Sequence, residues 1–172
     1  MRLFFALWPP EPVARALACA ARALARSFGG RAARRETIHL TLAFPGEVAD
    51  ERLPEVIAAA RRVRAEPFEL LVDRLGVWRR QRLIWAGCPV APPLRALVLD
   101  LRERLRAAEV ACDEPQRFVP HLTLVRKAGD AASAELPAFG PLPWPCGNFA
   151  LVRSRRTEAG PDYLVVAEFP CA

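Results

Sequence analysis

His39-Leu40-Thr41-Leu42 stands in the chain a second time, unchanged, as His121-Leu122-Thr123-Leu124, an offset of 121 − 39 = 82. The two tetrapeptides hold both histidines of the 172 residues. Along a strand, side chains at i and i+2 share a face, so each motif turns His and Thr one way and two leucines the other. The spacing persists outward. Leu3 to Trp8 corresponds to Leu83 to Cys88 (83 − 3 = 80), each followed by prolines and a helical pattern, and Phe68 to Val72 loosely matches Phe149 to Val152 (149 − 68 = 81). Three landmarks at nearly the same spacing read as an internal duplication. The expected fold is α+β: one domain over 1–172, built from two pseudo-symmetric lobes of about 1–78 and 79–172. Two antiparallel sheets with outer helices should flank a central groove on a pseudo-twofold axis.

The elements between these landmarks follow from apolar spacing. Leu3 to Trp8 reads as a buried strand, and Pro9, Pro10 and Pro12 suit the entry of a helix over Glu11–Phe28 that Gly29-Gly30 closes. After a polar loop, Thr37–Phe44 alternates as a strand and Pro45-Gly46 is expected to turn the chain. Helical spacing predicts a helix from about Ala49 to Arg64 and another after Pro92-Pro93, with Leu94, Leu97, Val98, Leu101 and Leu105 buried. Phe68–Trp78 and Arg82–Gly87 read as strands joined by a basic turn, and His121–Arg126, Phe149–Ser154 and Tyr163–Phe169 as further strands. The Ala- and Pro-rich stretch before the last pair predicts one short helix near Asp130–Leu136.

Composition narrows the class. With 52% hydrophobic and 26% charged residues, the chain can bury a core and remain soluble. Twenty-five Lys plus Arg against nineteen Asp plus Glu give a formal charge of +6, and Lys127 is the one lysine. GC-rich coding accounts for part of that arginine content; the field still suits an anionic partner such as RNA. The five cysteines form no C-x-x-C pair, so neither a zinc site nor a disulfide framework is expected, and a reducing, cytoplasmic location fits. The N-terminal apolar run is too short for a signal peptide and nothing approaches a membrane span.

Two His–Thr pairs facing each other across a groove suit in-line displacement at phosphorus, where one imidazole takes a proton from the attacking oxygen and the other gives one to the leaving oxygen. Threonine hydroxyls beside them can donate to the non-bridging oxygens. No metal or other cofactor is called for. A lone histidine on a strand is usually packed and bonded to backbone; the repetition of the whole tetrapeptide argues for a pair with a shared task.

These residues resemble the two-histidine phosphoesterase superfamily, and within it the RNA 2′,3′-cyclic phosphodiesterases, historically called 2′-5′ RNA ligases. The resemblance runs through RLFFALWPP, HLTLAFPGEV, GVWRRQRLIWAG, RFVPHLTLVR and LVRSRRTEAGPDYLVVAEFP. It implies an enzyme that opens the 2′,3′-cyclic phosphate end of an RNA or oligonucleotide to a 2′-phosphomonoester; a monomer is expected, though nothing in the sequence fixes the oligomeric state. His39 would be the acid and His121 the base, in roles that the pseudo-symmetry allows to exchange. Thr41, Thr123 and Arg126 would hold the phosphate, and Phe44 would stack on a base. Plain alternation puts Phe44 and Arg126 on the face away from the histidines, so their roles require a bend in each strand. Pro45 departs from the family, where leucine is common before the glycine. Other readings of the same residues are a 2′-5′ ligase, a phosphodiesterase for a small cyclic nucleotide, and a non-catalytic RNA-binding module, which leaves the paired motifs unexplained.

Overall fold

The computed structural model describes residues 1–113, 118–129, 135–158 and 160–172. Among them the chain forms β1 (Arg2–Leu7), α1 (Glu11–Phe28), β2 (Arg31–Ala32), β3 (Leu40–Glu47), α2 (Leu53–Ala60), β4 (Phe68–Val72), β5 (Arg74–Trp78), β6 (Leu83–Gly87), α3 (Pro92–Ala107), β7 (His121–Arg126), β8 (Leu142–Cys146), β9 (Asn148–Thr157) and β10 (Gly160–Pro170). The class is α+β with two antiparallel sheets, as expected. The larger sheet runs β10-β9-β1-β3-β7-β6-β5, with β2 added beside β7, and β4 pairs with β8 in the smaller one.

The first strand and helix form where apolar spacing places them. Leu3, Phe4, Phe5, Ala6 and Leu7 are all buried, because β1 is covered on both faces. In α1, Val13, Leu17, Ala21 and Leu24 make one buried stripe, Pro12 occupies the first turn, and Gly29 ends the helix at φ 72. Leu94, Leu97, Val98, Leu101 and Leu105 do the same for α3. Each fully buried leucine contributes roughly 1.5–3 kcal/mol, so these helices hold to the sheet through their leucine stripes. The other face of the sheet carries only a small apolar cluster of Phe4, Ala6, Ala150 and Val152, rimmed by Trp8, Phe44 and Tyr163.

Several boundaries differ from expectation. Pro45-Gly46 does not end its strand: β3 continues to Glu47, with Gly46 opposite Leu3, because a bulge at Phe44-Pro45 removes the ladder position a proline could not fill. The helix expected over 49–64 is a 3-10 turn, Asp50–Arg52, followed by α2. Beyond it the backbone N–H of Arg64 donates to Asp100 of α3 (2.8 Å). The strand expected over 68–78 breaks at Asp73, so its two parts join different sheets. β8 lies in the Pro-rich stretch: Pro143 and Pro145 face outward while Trp144 and Cys146 are buried, a pattern tolerated in a two-stranded sheet where every strand is an edge. The short helix expected near Asp130–Leu136 falls on 130–134, outside the described residues, and Glu135 and Leu136 lie in no regular element.

Two glycines are set by close approach. A Cβ on Gly76 would overlap the Trp85 ring on the neighbouring strand. At Gly30, where φ is +91, it would stand 2.6 Å from the Arg126 carbonyl oxygen and 2.9 Å from the Ala128 nitrogen, at the junction of β2 with β7. Gly30→Ala should therefore cost about 2 kcal/mol and lower the melting temperature by roughly 4–8 °C. An unchanged thermal transition would show that β2 does not pack this closely on β7.

Candidate active site

The site begins at one backbone pairing. β3 and β7 run antiparallel and touch in register at Leu40 opposite Leu122. One residue further in each direction, that register sets His39 against Thr123 and Thr41 against His121. Leu40 and Leu122 are fully buried on the helix side, so the four polar side chains share the opposite face. His39, Thr41, His121 and Thr123 all line one cleft of about 370 Å³.

Phe44 and Arg126 line it too, and the reason is a matched pair of bulges. Thr41 lies opposite Ala6 and Ala43 opposite Phe5, so Leu42 is the extra residue in β3. Thr123 lies opposite Trp85 and Val125 opposite Ile84, so Leu124 is the extra residue in β7. Each extra residue reverses the alternation, which is why Leu42 and Ala43, and again Leu124 and Val125, are buried in succession. The next side chains, Phe44 and Arg126, swing to the histidine face. Expected to lie away from the histidines, they are brought beside them by the last residue of each HLTL motif.

The two imidazoles are held alike. Nδ1 of His39 is 2.8 Å from the carbonyl oxygen of Thr37, and Nδ1 of His121 is 2.8 Å from that of Val119. A carbonyl only accepts, so Nδ1 donates in both rings and Nε2, at the opposite edge, is left for the cleft. Their surroundings differ. His39 stacks on Trp8 (centroids 5.0 Å), lies 4.8 Å from Phe4 and meets the edge of Tyr163 at 5.2 Å. Among the described residues His121 has one aromatic neighbour, Trp78, at 4.4 Å. Burial pushes the His39 pKa down to about 4; the Thr37 carbonyl opposes this and the charges of Arg126 and His121 add to it. His121 is lowered for the same first reason, with Val119 opposing and Arg126 adding. Both rings are accordingly neutral at pH 7 in the free protein.

The cleft holds more than sequence reading found. Arg2, Arg31 and Arg34 line it beside Arg126, and Tyr163, the one tyrosine of the chain, closes one side. The Arg2 guanidinium lies 4.9 Å from the centre of the Phe44 ring. The signal for Arg2 was available, since residues 2, 4, 6 and 8 alternate with the core positions 3, 5 and 7. Arg31 and Tyr163 depend on pairings between distant segments, β2 with β7 and β10 with β9, which in turn lies along β1. Among the described residues no group of three or more His, Cys, Asp or Glu side chains converges to hold a metal, and no helix is long and apolar enough to cross a membrane.

Comparison with known proteins identifies the family. Residues 7–85 match the family model of LigT-like phosphoesterases. An Escherichia coli K12 protein named RNA 2′,3′-cyclic phosphodiesterase is 34% identical over 139 residues, 80% of this chain and 78% of that one. A Thermus thermophilus protein of the same name is 34% identical over 180 residues, 98% and 89% of the two chains. A crystal structure of E. coli LigT complexed with 3′-AMP matches the fold with a TM-score of 0.86 at 31% identity, covering 98% of this chain and 97% of that one. The chain belongs to the LigT-like phosphoesterase family.

Proposed function

We propose that this protein hydrolyses the 2′,3′-cyclic phosphate end of RNA to a 2′-phosphomonoester, without a metal, using His39 and His121 as acid and base. The observation that carries this reading is the pair of Nε2 edges left free on one cleft by two identically anchored imidazoles, each beside a threonine hydroxyl. Water attacks phosphorus as Nε2 of His121 takes its proton; the bond from phosphorus to the 3′ oxygen breaks as Nε2 of His39 protonates that oxygen. Thr41, Thr123 and Arg126 bind the non-bridging oxygens, and Phe44 offers a ring to a base. The relatives' shared name, RNA 2′,3′-cyclic phosphodiesterase, supports the substrate. The proposal takes the protein as a monomer, and five free cysteines fit the cytoplasm. The same proposal takes residues 1–172 as one domain of two related halves, 1–78 and 79–172; matched bulges at Leu42 and Leu124 support it.

The direct test incubates the protein, in chelator, with an oligoribonucleotide ending in a 2′,3′-cyclic phosphate. The wild type should yield a 2′-phosphate end, and His39→Ala and His121→Ala should each lose about 10²–10⁴-fold in rate. Full turnover by either variant would remove that histidine from the chemistry.

The pH dependence follows from the two lowered pKa values. The active pair holds one proton between its two rings, so kcat/KM rises as the doubly protonated pair loses its first proton, near pH 4, the His39 value, and falls as the pair loses its last proton, at the lowered value of His121. The result is a bell with its maximum on the acid side of the ordinary histidine pKa of about 6.5, whichever ring is the acid. A plateau extending to high pH would contradict the pair. Arg126 depresses both histidines, so Arg126→Gln should move the whole bell toward higher pH while raising KM. A bell that stays in place would show that the arginine's charge does not reach the imidazoles.

A further inference from the structure

The cleft carries more positive charge than the reacting group needs. Arg2, Arg31, Arg34 and Arg126 line it and, among the described residues, no carboxylate does, whereas a cyclic phosphodiester bears a single negative charge. Arg34 stands at the rim: its Nη2 donates to the carbonyl oxygen of Pro161 (2.7 Å), at the tip of the β9–β10 hairpin. The same side chain also lines a second cleft, of about 490 Å³, together with Arg15, Ala18 and Arg22 of α1 and the adjoining Arg35 and Glu36.

Helix geometry makes that second cleft. Residues 15, 18 and 22, at i, i+3 and i+7, fall on one face of α1, and the small, buried Ala18 leaves depth between two exposed arginines. Its charge is only partly balanced. Arg35 pairs with Glu11 (2.6 Å) and Glu36 (3.3 Å), and Arg15 pairs with the same Glu11 (3.3 Å). Arg22 has no ion pair among the described residues. Four arginines against those two glutamates leave 4 − 2 = +2, next to a catalytic cleft that is itself positive.

We propose that the arginine cleft on α1 is a second phosphate-binding site, joined to the catalytic cleft through Arg34, and that the preferred substrate is an RNA strand whose backbone runs from its cyclic end past Arg34 onto α1. This rests on the function proposed above and adds that a mononucleotide, which ends at the first cleft, leaves the second empty. In the β5–β6 turn, Arg82 is held by its own contact, donating from Nε to the carbonyl oxygen of Ala128 (2.8 Å).

The test compares kcat/KM for 2′,3′-cyclic AMP and for an oligoribonucleotide with a 2′,3′-cyclic phosphate end, in wild type and Arg15→Ala/Arg22→Ala. Both positions are exposed on a helix, where alanine is well accepted. The wild type should favour the oligonucleotide. The variant should lose about tenfold on it, with a log–log salt dependence shallower by ~0.7 for each phosphate contact removed, and should keep its rate on the mononucleotide. Equal loss on both substrates, loss on neither, or a wild type without preference overturns the second site. A wild type that turns over neither substrate overturns the proposed hydrolysis itself, and this inference with it.

Discussion

The pairing of Leu40 with Leu122 is the constraint on which the rest of the site depends. Among the described residues it is the one position where β3 and β7 pair in register, and it joins the two strands that carry the HLTL motifs. Because the strands are antiparallel, this contact brings each histidine opposite the other motif's threonine. A slip of one residue would reverse every face: leucines that are now 0–1% exposed would enter the cleft and the imidazoles would enter the core. Hydrophobic burial under α1 and α3 thereby sets a polar geometry on the far side of the sheet, without any bond between the polar groups.

The bulges extend that geometry. A regular strand would give each half two polar positions facing the cleft and then a third two residues later, at Ala43 and Val125. The extra residues Leu42 and Leu124 instead bury those small apolar side chains and present Phe44 and Arg126, each five residues after its histidine. A ring and a guanidinium thus occupy matching corners of the cleft.

Burial and charge then act on the imidazoles together. His39 sits among Phe4, Trp8 and Tyr163 and is desolvated more strongly than His121, which packs beside Trp78. Loss of water disfavours the charged ring, and the charge of Arg126 adds repulsion, so both imidazoles are lowered toward the neutral form. An anion entering between them offsets that repulsion and favours imidazolium, so the protonation state of the pair is coupled to occupancy of the cleft.

The order of strands and helices around the two motifs was legible in the sequence because burial leaves its period there: α1 and α3 show their leucine stripes, and the repeated HLTL marks out the candidate histidines. The sequence also determined that His and Thr share a face, since alternation is local. It could not place Phe44 and Arg126, because a bulge adds one residue relative to a partner strand and so exists only once β1 and β6 are alongside. Nor could it find the break at Asp73 or the Pro-rich β8, whose strands are defined by pairing with each other. Arg31, Arg34 and Tyr163 reach the cleft through contacts between segments far apart in the chain, such as Arg34 with Pro161, 127 residues on. Local periodicity decides which way a side chain points within its strand; only the tertiary pairing of strands decides what stands across from it.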